Sequence, residues 1–528
     1  MKKIFSILLL FFLISNYAYS QIDKSDWKNE IPEGCTSITV GKKASFDGSV
    51  MTSHTDDSHK TRSWMDIQSE KKHKKNDKFF LYKRSSCDSF AMPTYKHIKI
   101  GEIPQVKKTY GYINTAYPCM NTFQLAIGES TFGGREILQS DIGLIDCQRL
   151  EKLMLERCKT AREAIKLADE LTKKYGWNDA GECLTIADKK EVWHFEILGN
   201  GKNKVGAVWA AQRVPDEHIS VNANASTIKE IDLSNKDFFL ASENIFEVAK
   251  KNKWWKEGEV FKFCEVYAPK SRNSFASRRR EWQVFNLMAP SLKLDPNDKN
   301  YPFSVKPDKK VYLIDMVNVF KDYFEGTPFD MVKNIKSTDK DGKSIISPFA
   351  NPFMPYGMYE LFKINGGWNE LGERTIARWY TMYATITQSR DWLDDEIGGL
   401  VWLAQDNVAT SIYIPVYCSV TDLPKSYKTP GRINGFTRKS AWWAFNRLST
   451  LTAQRWGDMR KDVDKVFIPM QKKMFDEQKN IEKKAMNLKN KKDRIEFLTK
   501  YTNKMGKKVV NKAWELGDFI WTKYDEKF

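Results

Sequence analysis

Three residues that could together hydrolyse an amide bond lie in one short segment, residues 34–57: the thiol of Cys35, the imidazole of His54 and the carboxylate of Asp57. A thiolate attacks a carbonyl carbon, while imidazole and carboxylate groups accept or hold protons. The segment has the pattern of two short strands joined by a polar loop, with Asp47-Gly48 as the turn signal. It therefore predicts a hairpin that carries a nucleophile.

The strand pairing decides which of these groups meet. A loop that ends at Gly48 pairs Val40 with Ser49, and counting outward places Cys35 opposite His54. Asp57 then lies just past the end of the second strand. We expect thiol, imidazole and carboxylate to share one end of the hairpin.

The residue before the thiol suggests how the nucleophile is activated. Cleavage between Gly34 and Cys35 would make Cys35 the first residue of the mature chain. Its new α-amino group, with a reference pKa of about 7.7–8.0, could then take the thiol proton. Gly34 and Cys35 are thus the predicted processing residues. The sequence leaves open whether this thiol or a separate protease makes the cut.

The start of the chain predicts export. Residues 1–20 combine two lysines, a short apolar run and small residues near Ser20, which is typical of a signal peptide. The apolar run is too short for a stable membrane anchor. Residues 21–34 read as a propeptide, and this polar segment argues against a lipid on Cys35. We expect a secreted or periplasmic protein that is not inserted in a membrane after signal removal.

Composition excludes several other classes of protein. The formal net charge is +18, but the lysines of the last part of the chain alternate with acids, which indicates a solvated helical face. No nucleic-acid motif accompanies them, so we expect no nucleic-acid partner. The eight cysteines form no CxxC pair and the six histidines no HExxH motif, so we predict neither metal nor cofactor. With Cys35 free, at least one more cysteine is unpaired, and disulfide connectivity stays open.

The apolar periodicity predicts an α+β protein. A helical region from Leu150 to Leu171, with a capping box at Thr160 and a stop at Gly176, separates two groups of strands. Residues 71–78 read as a charged loop, and the chain from Ser440 onward as helical. The other predicted elements are strands at 110–114, 122–129, 183–187, 191–197, 207–212, 400–404 and 410–416 and a helix at 315–324.

Five segments in order resemble the dipeptidase A/secernin family of N-terminal-nucleophile cysteine hydrolases. They are Cys35-Thr36-Ser37-Ile38 with the following Val40 to Ser49, Ala126 to Glu136, Trp209 to Asp216, Tyr301 to Val305 and Asp395 to Gly399. The resemblance implies a four-layer αββα sandwich over residues 35–455, with a helical C-terminal extension at 456–528. It also implies hydrolysis of dipeptides or short peptides with a free amino end.

The resemblance also suggests site roles, by way of the penicillin V acylase and bile-salt hydrolase group, which shares this architecture. Cys35 matches the nucleophile, and Asp57 matches the acid that fixes its α-amino group. Asn121 and Asn224 lie where oxyanion-binding asparagines are expected. His54 departs from the pattern, since many relatives carry arginine there, and we expect it to line the substrate site.

Alternatives remain open at this stage. Asn121 could be a turn residue, and Asn222 lies two positions from Asn224. An amidase or acylase with a non-peptide substrate would show the same nucleophile, and a non-catalytic surface protein could share the fold. The leading hypothesis is an exported cysteine dipeptidase with small peptides as substrates. Self-association into a homo-oligomer is compatible with the sequence but not determined by it.

Overall fold

A computed structural model describes residues 34–59, 61–84, 95–353, 374–432 and 435–526. The predicted signal peptide, residues 21–33 of the predicted propeptide and Cys87 lie outside these ranges. The seven cysteines inside them carry free, buried thiols.

Two antiparallel sheets form the centre of the molecule. The first has the strand order β16-β14-β1-β2-β19-β20-β21 and the second β15-β13-β12-β11-β10-β9-β8-β3. The strands of the first sheet are β1 (Gly34–Val40), β2 (Ser53–Asp57), β14 (Ile219–Asn222), β16 (Ser304–Val305), β19 (Thr381–Gln388), β20 (Leu400–Gln405) and β21 (Ile414–Tyr417). Those of the second are β3 (Asp66–Gln68), β8 (Tyr112–Asn114), β9 (Met120–Asn121), β10 (Ala126–Phe132), β11 (Gly181–Ala187), β12 (Val192–Gly199), β13 (Ala207–Arg213) and β15 (Phe239–Ala241).

Three two-stranded ribbons complete the strands of the described ranges. They pair β4 (Lys71–Lys72) with β7 (Lys108–Thr109), β5 (Lys78–Arg84) with β6 (Tyr95–Pro104), and β17 (Lys336–Thr338) with β18 (Ser344–Ile346).

The two main sheets meet where β10 contacts both β1 and β2. Gly128 of β10 makes this approach possible, because a Cβ atom there would lie 2.3 Å from the main-chain oxygen of Ser53. A side chain at residue 128 would therefore push the sheets apart. The two strands that hold the predicted nucleophile thus pack directly against the centre of the other sheet.

Helices cover both sheets. They are α1 (Cys147–Arg157), α2 (Ala161–Tyr175), α3 (Ile245–Lys251), α4 (Phe263–Tyr267), α5 (Pro269–Arg272), α6 (Phe275–Met288), α7 (Leu313–Phe320), α8 (Asp395–Gly398), α9 (Lys425–Lys428), α10 (Ala441–Gln454), α11 (Trp456–Met486) and α12 (Lys491–Lys523). Short 3₁₀ turns occur at Glu136–Leu138, Pro290–Leu292 and Val408–Thr410. Helix α2 contacts β11, β12 and β13, whereas α10 contacts β20 and α12 contacts β21.

The predicted helical pair and the long helical C-terminus are confirmed. The Thr160 side chain accepts from the main-chain NH of Glu163, whose carboxylate bonds back to the cap, so α2 begins with the expected capping box. Gly176 ends this helix with φ of 74°. In α11 and α12, lysines and acids four residues apart pair on exposed faces, as between Lys472 and Asp476 at 2.6 Å. The division between residues 35–455 and 456–528 stays a prediction, because α12 of the extension packs against α10, which precedes the boundary.

Several local predictions are wrong in part. The strands predicted at 110–114 and 122–129 begin only at Tyr112 and Ala126, and the helix predicted at 315–324 spans Leu313–Phe320. The loop predicted at residues 71–78 instead contains β4, Lys71–Lys72, and Lys78 opens β5. The strand predicted at 410–416 begins only at Ile414, after the 3₁₀ turn Val408–Thr410. The partner of β4 is β7, far along the chain, so local composition carries no sign of it, whereas β21 pairs with its sequence neighbour β20 and is shortened by the 3₁₀ turn.

The predicted register of the first hairpin is also wrong, by two residues. Val40 bridges to Met51 rather than to Ser49, and Cys35 lies opposite Asp56 rather than His54. The loop is longer than expected because Val50 pairs with Ser389 of a distant segment, through N–O distances of 3.0 and 2.9 Å. A shift of two residues leaves side chains on the same face of the sheet, since the strand period is two.

Within the described ranges, no helix combines the length and the apolar character that crossing a membrane requires.

Candidate active site

Cys35 is buried at the contact between the two main sheets. Its Sγ atom donates a hydrogen bond to Oε2 of Glu129, at 3.1 Å. Cys35 is 4 % exposed and Glu129 is fully buried. A thiol and a carboxylate from different sheets therefore meet in the interior, where electrostatic interactions are stronger than in water.

The predicted partner His54 reaches the same carboxylate rather than the thiol. Its Nε2 atom lies 3.4 Å from Oε2 of Glu129. The imidazole is held edge-on between the rings of Tyr117 and Tyr383, with centroid distances of 5.2 and 5.7 Å. Glu129 is thus the group that links Cys35 and His54.

A second buried acid lies behind Glu129. The hydroxyl of Thr131 is 2.8 Å from Oε1 of Glu129 and 3.0 Å from Oε1 of Glu182. Burial and the charge of Glu129 raise the pKa of Glu182 well above its usual value. Burial opposes ionisation of Glu129 too, but its neighbours His54 and Glu182 outweigh that effect and lower the pKa of Glu129. These opposite pKa shifts favour a proton on Glu182 and a negative charge on Glu129.

This environment keeps the thiol protonated. Burial raises the pKa of the Cys35 thiol well above its usual value, and the negative charges of Glu129, Asp56 and Asp57 raise it further. The structure is that of a chain continuous through Gly34, in which Cys35 has no α-amino group. In this form Cys35 is a thiol rather than an activated thiolate.

Asn224 contacts the main-chain nitrogen of Cys35. Its Oδ1 accepts from Cys35 N at 3.2 Å, from Arg280 at 2.9 Å and from Arg374 at 2.5 Å. Its Nδ2 donates to the carbonyl oxygen of Thr131 at 2.6 Å. Three donors on one side and a carbonyl on the other fix the orientation of this amide.

The residue reaches this place through an unusual backbone conformation. Asn224 follows β14 and has φ of 62°, in the left-handed region that asparagine tolerates better than most residues. The predicted oxyanion role of Asn224 stays a prediction. The competing residue Asn222 instead donates to the carbonyl oxygen of Ala225, at 2.7 Å.

A buried arginine binds the main chain of Cys35. Arg280, on α6, donates to the carbonyl oxygen of Cys35 at 2.8 Å, to Thr36 Oγ1 at 2.9 Å and to the carbonyl oxygen of Ala223 at 2.9 Å. The guanidinium thus ties β1 to the segment that follows β14. Its rigid, planar donor arrangement suits this use.

Asp57 lies beside the bond predicted to be cleaved. Its main chain pairs with that of Gly34, and its carboxylate accepts from Arg374 at 2.8 Å and from Thr381 at 2.7 Å. The predicted position past the strand end is wrong, because β2 extends through Asp57. The proposed bond to an α-amino group stays a prediction.

The side chain of Asn121 forms hydrogen bonds to main-chain groups at and near a turn. Its Nδ2 donates to the carbonyl oxygens of Leu155 and Cys158, both at 2.8 Å. Its Oδ1 accepts from the NH groups of Phe123 and Leu125, at 2.9 and 3.1 Å. Both amide hydrogens are therefore used away from the thiol. The expected oxyanion role of Asn121 has no supporting contact here and stays a prediction.

Gly34 is packed so closely that no side chain fits. A Cβ atom at residue 34 would lie 2.3 Å from Oδ1 of Asn224 and 2.5 Å from Nη1 of Arg374. Glycine is therefore required at this position for the strand to pass between the two residues.

Two groups of side chains are compact enough to hold a cation. Cys35, His54 and Glu129 have ligand atoms within 4.8 Å of one another, and so do Glu129, Cys147 and Glu182. Thiolate, imidazole and carboxylate are zinc ligands. A metal on the first group would occupy the Cys35 sulfur and so prevent that sulfur from attacking a carbonyl carbon.

Sequence reasoning missed Glu129, Arg280 and Arg374. The first had a visible signal, because an acid in the otherwise apolar strand segment Leu125-Ala126-Ile127-Gly128-Glu129 is rarely buried without a specific partner. The two arginines have no such signal. They reach the site from distant elements, and only the tertiary structure brings them to Asn224.

Comparison with known proteins gives a consistent result. The family model described as "Peptidase family C69" matches residues 34–468. A probable dipeptidase of Latilactobacillus sakei is 24% identical over 447 residues, which cover 81% of this chain and 83% of the relative. A probable dipeptidase B of Lactococcus lactis is 24% identical, covering 76% and 78%. Dipeptidase A of Lactobacillus helveticus is 21% identical, covering 80% and 81%. The resemblance to the dipeptidase A group is thereby confirmed.

Proposed function

Because the chain belongs to peptidase family C69, and is a cysteine peptidase as that family is, we propose that it is an exported dipeptidase whose nucleophile is Cys35 at the N-terminus of the processed chain. The dipeptidase names of relatives that align with about four-fifths of this chain support the substrate class. Dipeptides or short peptides are the proposed substrates.

We also propose that the fold is the four-layer αββα sandwich of N-terminal-nucleophile hydrolases. Contact between the two main sheets at β1, β2 and β10 supports the two inner layers. Helix α2 against β11–β13, and helices α10 and α12 against β20 and β21, support the outer layers. The proposed domain comprises residues 35–455, with residues 456–528 as its helical extension.

One observation carries the proposal: the nitrogen and the sulfur of Cys35 each have a fixed polar partner. Asn224 accepts from the nitrogen at 3.2 Å, and Glu129 accepts from the sulfur at 3.1 Å. Cleavage after Gly34 would turn that nitrogen into an amine that already has an acceptor. The base would then be on the same residue as the nucleophile.

The reaction proceeds in two halves. The α-amine of Cys35 takes the thiol proton, and the thiolate attacks the carbonyl carbon of the peptide. As the tetrahedral intermediate collapses, the amine gives its proton to the leaving amino group, the C–N bond breaks and a thioester remains. Water then attacks the thioester while the amine takes its proton, and the acid product leaves as the thiol reforms.

The neighbouring residues have separate tasks in this scheme. Asn224 keeps one amide hydrogen beyond its bond to Thr131, which it offers to the oxyanion. A donor of this kind typically contributes about 10²–10³ in rate. Arg280 holds the carbonyl of Cys35 and so positions the nucleophile. Asp57 is proposed to orient the new α-amino group.

Export is part of the proposal. Residues 1–20 are proposed to be a signal peptide and residues 21–34 a propeptide, and the proposed location is secreted or periplasmic. Removal of the propeptide by the enzyme's own thiol or by another protease would give the same mature chain.

The test has two parts. Intact-mass analysis of the purified protein should give a chain that begins at Cys35, and that chain should hydrolyse dipeptides faster than simple acyl amides. Cys35→Ala should lower kcat/KM at least 10³-fold, as expected for loss of a nucleophile. Cys264→Ala, which removes another buried thiol, is the matched control and should retain activity. A chain that starts at Cys35 yet hydrolyses no dipeptide would refute the dipeptidase proposal.

A further inference from the structure

We infer that Glu129 binds the α-ammonium group of the substrate and thereby restricts the site to peptides with a free amino terminus. This inference rests on the proposed function, since it concerns the same nucleophile. It concerns a residue that the mechanism above does not use as base, nucleophile or oxyanion donor.

The first reason lies in the hydrogen bond between the thiol and Glu129. Oε2 of Glu129 accepts from Cys35 Sγ at 3.1 Å while the thiol is protonated. Once the α-amine of Cys35 takes the thiol proton, Sγ has no hydrogen to donate, and Oε2 of Glu129 loses this bond in a buried site. The α-ammonium group of Cys35 offsets one of the two negative charges, and a second cation beside Glu129 would offset the other.

The second reason is that the surrounding residues leave this carboxylate undersupplied with donors. His54 Nε2 is 3.4 Å from Oε2, which is beyond the usual range for an N–H···O hydrogen bond. The donor at hydrogen-bond distance from Oε2 of Glu129 is Cys35 Sγ, and this donor is lost when the thiolate forms. Glu129 is fully buried, so water satisfies its carboxylate poorly as well. A ligand with several N–H donors matches this deficit.

The third reason is geometric. In a peptide with a free amino end, the amino nitrogen is two bonds from the carbonyl carbon, through N–Cα and Cα–C bonds of about 1.5 Å each. It therefore lies roughly 2.5 Å from the carbon that Cys35 attacks. An acceptor 3.1 Å from the sulfur can reach that nitrogen at charge-assisted hydrogen-bond distance when the amino group points toward Glu129. The position of Glu129 beside the sulfur is therefore compatible with a bond to the ammonium group of the substrate's first residue.

The rival explanation is that Glu129 serves the thiol itself, for example by holding its proton. The two roles differ in what they predict. Loss of a group that acts on the thiol slows every substrate equally, whereas loss of an ammonium receptor slows only substrates that carry the ammonium. The discriminating quantity is the ratio of two kcat/KM values.

The experiment compares alanyl-alanine with N-propionyl-alanine, which has the same shape but lacks the amino group. Both release alanine, so one assay serves both substrates. The mature wild-type enzyme should cleave alanyl-alanine with at least 100-fold higher kcat/KM. In Glu129→Gln, which keeps the size of the side chain, this ratio should fall at least tenfold. The ratio does not depend on the fraction of active enzyme, so partial misfolding leaves it interpretable.

Glu182→Gln is the matched control, since it removes a carboxyl group that does not contact the sulfur. It should change the ratio less than Glu129→Gln does. An unchanged ratio in Glu129→Gln, or loss of both activities in the folded variant, would overturn the inference. Equal cleavage of both substrates by the wild type would also overturn the inference, but it would still agree with the proposed cysteine amide-hydrolase mechanism. Cleavage of neither substrate by a chain that begins at Cys35 would instead refute the dipeptidase function itself.

Discussion

The Sγ atom of Cys35 lies 3.1 Å from Oε2 of Glu129, and the two residues come from different sheets. The thiol is therefore buried against a carboxylate rather than against the predicted imidazole. This explains why the pKa of Cys35 is raised in the chain that continues through Gly34: burial acts first, and the charge of Glu129 adds to it. In the proposed mechanism, the α-amine released by cleavage after Gly34 takes the thiol proton.

Removal of the His54 imidazole should change the pH dependence of catalysis. The nearby His54 imidazole works against burial to lower the pKa of Glu129. In His54→Ala the Glu129 carboxylate should protonate at a higher pH. The acid limb of the pH profile of kcat/KM should therefore shift to higher pH. We also expect kcat/KM at the pH optimum to fall about tenfold or more, as it does when other groups that exchange protons are removed. His218→Ala, which removes a half-buried histidine just before β14, is the control. An acid limb that stays in place in His54→Ala would contradict the assignment.

Substitution of the two asparagines should separate stability from catalysis. Asn121→Ala leaves two main-chain carbonyls and two NH groups of a buried turn without their partner. We expect a loss of about 1–3 kcal/mol or more of stability, measured by thermal unfolding, with kcat changed little in the folded fraction. Asn224→Ala should instead lower kcat by about 10²–10³. A kcat loss in Asn121→Ala as large as that in Asn224→Ala would restore the oxyanion role to Asn121.

Gly34→Ala should affect maturation but not the mature enzyme. The added Cβ would lie 2.3 Å from Asn224 Oδ1, so strand β1 has to shift at the bond to be cleaved. Because residue 34 leaves with the propeptide, the processed product is identical to the wild type. A time course by intact mass should show slower appearance of the chain that begins at Cys35, and once formed that chain should have wild-type kcat/KM. Gly133→Ala, where no atom lies within 4 Å of the new Cβ, is the control. Unchanged maturation kinetics would show that this packing does not matter for cleavage.

A buried aspartate distant in sequence from the hairpin should govern part of the pH dependence of stability. Burial raises the pKa of Asp406 to about 6, opposed by a hydrogen bond from Asn446. The folded state thus binds this proton more tightly than the unfolded state, so the stabilisation is present below pH 4 and is lost as the pH rises through about 6. The difference from the ordinary value of 3.8 corresponds to about 3 kcal/mol at most.

Asp406→Asn removes the ionisable group while keeping a residue suited to φ of 59°. The fall in apparent melting temperature between pH 5 and pH 8 should therefore be smaller than in the wild type. Asp341→Asn, at an exposed turn, should leave the pH dependence unchanged. Identical pH profiles for Asp406→Asn and the wild type would rule out a shifted pKa at this residue.

The amino-acid sequence by itself determined the elements whose causes are local. The capping box at Thr160 and Glu163 and the glycine stop at Gly176 lie within one or two helical turns of the residues they affect, so helix α2 was predictable. The thiol next to Gly34 and the ordered family segments likewise point to a cysteine peptidase, because residue type and order along the chain are enough to recognise them.

Tertiary structure decided the pairings between distant residues. The hairpin register followed from Val50 pairing with Ser389, and the partner of the thiol became Glu129 because Gly128 lets the two sheets approach. The Asn121 side chain bonds to main-chain groups away from the thiol, whereas that of Asn224 lies beside Cys35 N. The physical reason is that the sequence records side-chain type and short-range spacing, but burial, distance and hydrogen-bond partners across sheets exist only after the chain has folded.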